Sequence, residues 1–280
     1  IEMTRAIADL GGTSRQSLAA ARAALDTALK GKQENEAAKF AAELLEVLAA
    51  LDSSAPLRRA LTDASRDAKD KAKLVTDIFT KSSGEVLSTL TKLVEVKWSK
   101  PSDLANAIEQ LAVEAEASSA DIAGNLDRLE EELFGFSKTI SSDSELLQAL
   151  NSNKYSADGK RVLVAKLFGG KVTPSTSRML GHLVSGLRGR NLEGTIAFYI
   201  KATAARRERT IATVKSAIAL TDAQREKLAA ALAAKIGQPV RLNVEVDPTV
   251  IGGISIRFAD ELIDATIVNR LADASRSLAG

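Results

Sequence analysis

Apolar positions keep helical spacing over most of the chain and change to strand-like alternation near its end. Ile122, Leu126, Leu129, Leu133, Phe136 and Ile140 fall alternately four and three residues apart, which puts them in one stripe on a helix face. Phe40, Leu44, Val47 and Leu51 repeat that spacing earlier. Thr173 followed by Pro174 reads as an N-cap with proline in the first turn, and Ser82 with Glu85 reads as a capping box. Polar breaks near 53–56, 65–70, 82–84, 99–102, 142–144, 151–158, 169–173 and 189–191 divide the chain into helices of ordinary length.

The helical pattern occurs twice. A shift of 89 residues places Phe40 on Leu129, Leu44 on Leu133, Val47 on Phe136, Leu51 on Ile140, Leu57 on Leu146 and Leu61 on Leu150. It also aligns Leu74 with Leu163, Val75 with Val164, Ile78 with Leu167 and Phe79 with Phe168. An offset of 90 then pairs Leu90, Leu93 and Val94 with Leu180, Leu183 and Val184, and one of 88 pairs Leu104 with Leu192 and Ile108 with Ile196. Chance rarely keeps so many large apolar positions in register, so the chain carries a duplicated all-α unit. A helix near 103–120 closes the first copy and opens the second.

From about residue 210 the period changes. Ile211 and Val214 suit a strand, and Thr221 to Gln224 forms a capping box before an Ala-rich helix with Leu228, Leu232 and Ile236 inward and Gly237 at its stop. The runs 240–246 and 252–258 alternate as half-buried strands. Asp264 can cap a last helix bearing Ile267, Leu271 and Leu278. The expected fold is therefore mainly α: two tandem helical bundles, at 1–104 and 105–209, then a small α+β module (β-α-β-β-α) at 210–280.

Composition narrows the chemistry. The chain has no cysteine and one histidine, His182, so disulfides, thiolate or multi-histidine zinc sites and cysteine nucleophiles are excluded. With 38 basic and 36 acidic residues the net charge of +2 is too small to drive binding to nucleic acid or anionic lipid. No apolar run approaches the ~20 residues that span a bilayer, and the start lacks a signal peptide's pattern. A start at Ile1 rather than Met leaves an upstream segment open.

Three motifs invite chemistry and fall short of it. Gly169-Gly170-Lys171-Val172-Thr173 lacks the first glycine and the preceding strand of a phosphate loop, and reads as a helix stop and turn. Glu130, Glu131 and Glu132 fan around a helix and read as a solvated face. Lys201, Arg206, Arg207 and Arg209 form the densest basic run, without the aromatic platforms of RNA modules. Charge is uneven, however. Residues 105–150 hold 2 basic and 10 acidic groups, and residues 151–209 hold 12 basic and 3 acidic, halves that can pair within a bundle or steer partners.

The run Val246-Asp247-Pro248-Thr249-Val250-Ile251-Gly252-Gly253-Ile254-Ser255-Ile256, followed by Asp260, Ile263-Asp264 and Arg270-Leu271, resembles the C-terminal signature of the delta subunit of the F-type ATP synthase. The mitochondrial counterpart of that family is the oligomycin-sensitivity-conferring protein. Residues 105–280 cover an ordinary delta subunit; Ala259, Ala265 and Thr266 depart from the usual glycines and serine near the tail, and Leu104 and Leu111 replace aromatics of the opening helix. Residues 1–104 are extra, which is similar to an extended bacterial delta, sometimes fused behind a membrane-anchored b-type stalk helix. By itself the sequence also fits a helical protein–protein adaptor or a nucleic-acid-binding helical protein unrelated to ATP synthesis.

The resemblance implies a non-catalytic stator subunit without cofactor or metal. Such a subunit joins the catalytic head to the peripheral stalk, so that the head does not turn with the rotor. It implies alpha subunits, with beta as a further candidate, and b-subunit stalk helices as partners. No nucleic acid is among them, and the location is the cytoplasmic side of the cell membrane through the complex alone. The groove for an alpha-subunit helix would lie between helices near 103–120 and 174–187, with Ala105, Ile108, Ala112 and Ala115 facing Met179, His182 and Leu183. Ile108 and Leu183 suit the bundle's own core equally well. Asp247, Gly252, Gly253, Asp260, Asp264 and Arg270 carry the stalk-binding module's structural signature, and the extra copy would add a second contact on head or stalk.

Overall fold

A computed structural model describes residues 12–152, 154–236, 240–247, 250, 254–258 and 261–264. The backbone divides into two compact units between Ala204 and Ala205. The first is all helical, and its order repeats. Helices α1 (Gly12–Leu29), α2 (Glu34–Ser53), α3 (Ala55–Thr62), α4 (Ala68–Ile78) and α5 (Gly84–Glu95) correspond in turn to α6 (Pro101–Ile122), α7 (Leu126–Ser142), α8 (Ser144–Asn151), α9 (Ala157–Phe168) and α10 (Pro174–Ser185). Helix α6 then corresponds to α11 (Leu192–Thr210), whose last residues enter the second unit.

Local chemistry repeats as well. The Ser54 hydroxyl caps α3 by accepting from the Leu57 N–H at 3.2 Å, and 89 residues on the Asp143 carboxylate caps α8 by accepting from the Leu146 N–H at 3.0 Å. The expected Thr173 cap of α10 forms, its hydroxyl accepting from the Thr176 N–H at 3.3 Å. At both α5 and α10 a carboxylate from another helix holds the N–H of the N-cap residue. Glu43 accepts from the Ser83 N–H at 2.7 Å, and Glu132 accepts from the Thr173 N–H at 2.9 Å. Two expectations are thereby corrected. The box of Ser82 and Glu85 does not form, because α5 starts after Ser83 and the Glu85 carboxylate pairs with Lys32 at 2.7 Å. Glu132 is no solvated residue: it is mostly buried and fills a capping role that adjacent, exposed Glu131 does not.

The expected stripe from Ile122 to Ile140 is also cut. Gly124 takes a left-handed φ of 71°, which ends α6 and lets α7 start at Leu126. Leu126, Leu129, Leu133, Phe136 and Ile140 are buried, whereas Ile122 is 39% exposed at the end of α6. Ile78 and Leu167, matched between the copies, are both surface residues.

Helix α6 is the shared element. Leu104, Ala105, Ala107, Ile108, Leu111, Ala112 and Ala115 pack in the core of the first copy, while Val113, Ala117 and Ala120 pack in that of the second. Between Asp103 and Ala120 only Asn106 and Gln110 escape full burial. A helix buried on nearly all sides needs small or apolar residues around its circumference, and the alanines of α6 meet that need.

The second unit holds β1 (Ile211–Ser216), α12 (Asp222–Ile236), β2 (Arg241–Val246), β3 (Ile254–Phe258) and β4 (Glu261–Asp264), in the sheet order β2-β1-β3-β4. Strand β2 runs parallel to β1 after the α12 crossover, and β3 runs antiparallel to β1. Thr221 and Gln224 form the expected capping box, with bonds of 2.9 and 3.3 Å. Ala212, Val214, Leu232, Val240 and Ile256 make its core. Strand β4 is an addition to the expected order. It pairs Asp264 with Ser255, and the helix expected after Asp264 lies outside the described residues.

Candidate docking cleft

Four acids lie buried in α6: Asp103 accepts from the Ser14 hydroxyl at 2.7 Å, and the other three meet arginine. Glu114 accepts from Arg22 of α1 at 2.8 Å, and Glu116 accepts from Arg178 of α10 at 2.6 and 3.0 Å. Glu109, fully buried, accepts from Arg188 at 2.6 Å and from Arg190. Arg188 also donates to Asn106 and to Asp52 at the end of α2, and the Arg190 guanidinium lies 4.8 Å over the Phe198 ring. The acidic stretch 105–150 and the basic stretch 151–209 thus meet inside the helical unit, where paired charges offset the cost of burial. An acid in an otherwise Ala-rich helix was the available sequence signal for these pairs.

Beside these pairs a cleft of about 820 Å³ opens between α2, α6 and α10. Leu45 and Ala49 come from α2, Ala112 and Val113 from α6, Met179 and His182 from α10, and Tyr199 from α11. The expected groove residues separate here. Ala112, Met179 and His182 line the cleft together. Ala105, Ile108 and Ala115 are packed in the core of the first copy, and Leu183 in that of the second, each at most 1% exposed. Helix α2 covers the face of α6 that would otherwise be free, and sequence reasoning missed its residues because they belong to the other copy.

His182 and Tyr199 stack with ring centroids 6.4 Å apart. Burial lowers the His182 pKa below its usual value, and nearby Arg188 and Arg161 act in the same sense against the pull of Glu109 and Asp52. Burial, followed by the Glu109 charge, raises the Tyr199 phenol well above its usual value. Both rings are therefore neutral near pH 7. Among the described residues no group of three or more His, Cys, Asp or Glu could hold a metal, and no helix is long and apolar enough to cross a membrane. The glycine pair after α9 is a turn: Gly170 has φ 73° and the Lys171 N–H returns to the Phe168 carbonyl.

Of the tail signature, Asp247 follows β2, donates its N–H to the Ser216 carbonyl and lies 4.0 Å from the Lys215 ammonium. Asp264 ends β4. Gly252, Gly253, Asp260 and Arg270 lie outside the described residues.

Residues 102–278 match the family model of the ATP synthase delta (OSCP) subunit, beginning in α6. The ATP synthase subunit delta of Streptomyces griseus is 43% identical over 272 residues, covering 97% of this chain and all of that one. Its counterpart in Streptomyces coelicolor is 42% identical, covering 96% and 98%. The first copy, outside the family model, is thus largely within the match to these relatives. A chain of the Toxoplasma gondii mitochondrial ATP synthase hexamer aligns at 18% identity and a TM-score of 0.30 over 60% of this chain and 97% of that one, too distant to bear on the fold. With a family model matched over more than half its length and relatives matched almost end to end, the chain belongs to the ATP synthase delta (OSCP) subunit family.

Proposed function

We infer that this chain is a non-catalytic stator subunit of the proton-driven rotary ATP synthase, joining the catalytic head to the peripheral stalk. The nearly end-to-end match to subunits of that name carries the reading. Its physical task is a long-lived joint that resists torque, and a helical unit whose two halves share one buried helix suits that task better than two bundles on a flexible linker. ATP chemistry belongs to other subunits.

The head contact is an alpha-subunit helix laid in the cleft beside α6 and α10, with beta as a further contact. Helix-in-groove docking buries an apolar stripe without new chemistry. The C-terminal sheet module binds the b-subunit stalk helices, and the complex holds the chain on the cytoplasmic side of the membrane. Calorimetric titration of the full chain with a synthetic peptide of the cognate alpha-subunit N-terminus tests the head contact. One-to-one binding supports it, and no binding to a well-folded chain removes it.

A further inference from the structure

We propose that the first helical copy forms part of the head-docking site: α2 is the third wall of a cleft whose occupant is an amphipathic helix presenting one hydroxyl or carboxamide side chain to Tyr199 and His182. The inference rests on the stator reading and specifies both the site and its guest.

Two independent observations carry it. The first is the composition of the walls. Leu45 and Ala49 of α2 face the same space as Ala112 of α6 and Met179 of α10, so a helix entering between α6 and α10 meets the first copy as well. Ala49 is exposed in the free chain, on a lining that is chiefly apolar. The volume of about 820 Å³ lies within the range of built ligand clefts. Among the lining residues, Arg161, Arg178 and Arg188 balance Glu46, Asp52 and Glu116. Net charge therefore does not select the guest; shape and hydrogen bonding do.

The second observation is a pair of orphaned polar atoms. Tyr199 Oη and His182 Nε2 are buried without a hydrogen-bond partner among the described residues, and both residues line the cleft. Tyr199 is only 1% exposed. Buried polar groups are nearly always paired, and an unpaired one is costly. A neutral phenol donates, and a neutral imidazole nitrogen donates or accepts according to tautomer. A hydroxyl or carboxamide can accept from the phenol and still complement either tautomer. An ammonium cannot accept, and a carboxylate would have to be buried as a charge.

The alpha-subunit peptide, titrated into the full-length wild type, Ala49→Arg and Tyr199→Phe with thermal midpoints recorded for each, tests the proposal. Ala49→Arg alters an exposed α2 position and is expected to weaken binding tenfold or more with the midpoint unchanged. Tyr199→Phe removes a hydroxyl unpaired in the free chain, so the midpoint should hold or rise while binding weakens by about three- to tenfold, one hydrogen bond's worth. Wild-type binding that Ala49→Arg leaves intact overturns the third wall and leaves the stator reading standing. Binding that Tyr199→Phe leaves intact overturns the polar anchor. If the peptide fails to bind folded wild type, the head contact and this inference fall together.

Discussion

Arg188 and Asp52 lie 136 residues apart in the chain, yet the Arg188 Nε donates to the Asp52 carboxylate at 2.8 Å. The same guanidinium holds the buried Glu109 at 2.6 Å, so one side chain ties the end of α2 to α6 and to the loop after α10. Burial opposes the charge on Arg188, but Glu109 and Asp52 outweigh it and raise its pKa. Its backbone carries a left-handed φ of 53°, a conformation that costs a non-glycine residue about 1–2 kcal/mol and so needs such compensation.

Glu109→Leu should therefore be severe. It leaves Arg188 and Arg190 without their buried counter-charge, which typically costs about 3–5 kcal/mol. Urea unfolding of the single variant and of Glu109→Leu with Arg188→Met checks this. The double variant should recover part of the loss, because it removes one unmatched charge. An unaltered midpoint in Glu109→Leu would mean that solvent already screens the cluster.

The carboxylates lent to the starts of α5 and α10 can be tested as a matched pair. Glu43→Ala and Glu132→Ala each remove a carboxylate from a helix N-terminus and should cost about 1 kcal/mol. Burial tends to raise the Glu132 pKa, but bonds from Thr176, Thr173 and Arg128 hold it below the ordinary value. A depressed pKa contributes stability above the unfolded value, and that contribution is lost as pH falls through the folded value. Acid unfolding of wild type should thus be steeper below about pH 4.3, the ordinary glutamate value, than that of Glu132→Ala.

His182 titrates in a higher window. Its folded pKa lies below the usual 6.5, so the folded chain binds fewer protons than the unfolded one. Stability is then full above that value and falls as pH drops through it toward the folded pKa. Thermal midpoints followed from pH 8 to pH 5, a range set by the histidine window, should decline more in wild type than in His182→Leu. Parallel curves would assign the decline to other groups.

Ile108 distinguishes core from groove. At 1% exposure within the first copy's core, Ile108→Ala should destabilise the chain by about 2–5 kcal/mol. A loss of peptide binding with full stability would instead return Ile108 to the cleft.

The duplication was legible because the same apolar register had to be kept twice. Phe40 and Leu129, Leu44 and Leu133, and Leu93 and Leu183 are buried in both copies. The capping box of Thr221 and Gln224 was equally readable, because it joins near neighbours in the chain, whereas the stop at Gly124 was hidden by apolar spacing that runs on across it. Strand β4 was not readable either, since four residues give too short a period to separate a strand from a turn.

The sequence by itself determined the helical repeat, the shared helix, the change to an α+β tail and the family, all properties of local periodicity and short motifs. Only the tertiary structure decided what covers each face of α6. Alanines at helical spacing suit a guest helix and a neighbour in the same chain alike, because both need close backbone approach. Ala105, Ala112 and Ala115 all went to the first copy's core, and Ala112 borders the cleft as well, according to where α2 lies. The same packing paired Glu109, Glu114 and Glu116 with arginines tens of residues away and left Tyr199 Oη and His182 Nε2 without a hydrogen-bond partner among the described residues. Those outcomes depend on long-range contacts, which no local spacing encodes.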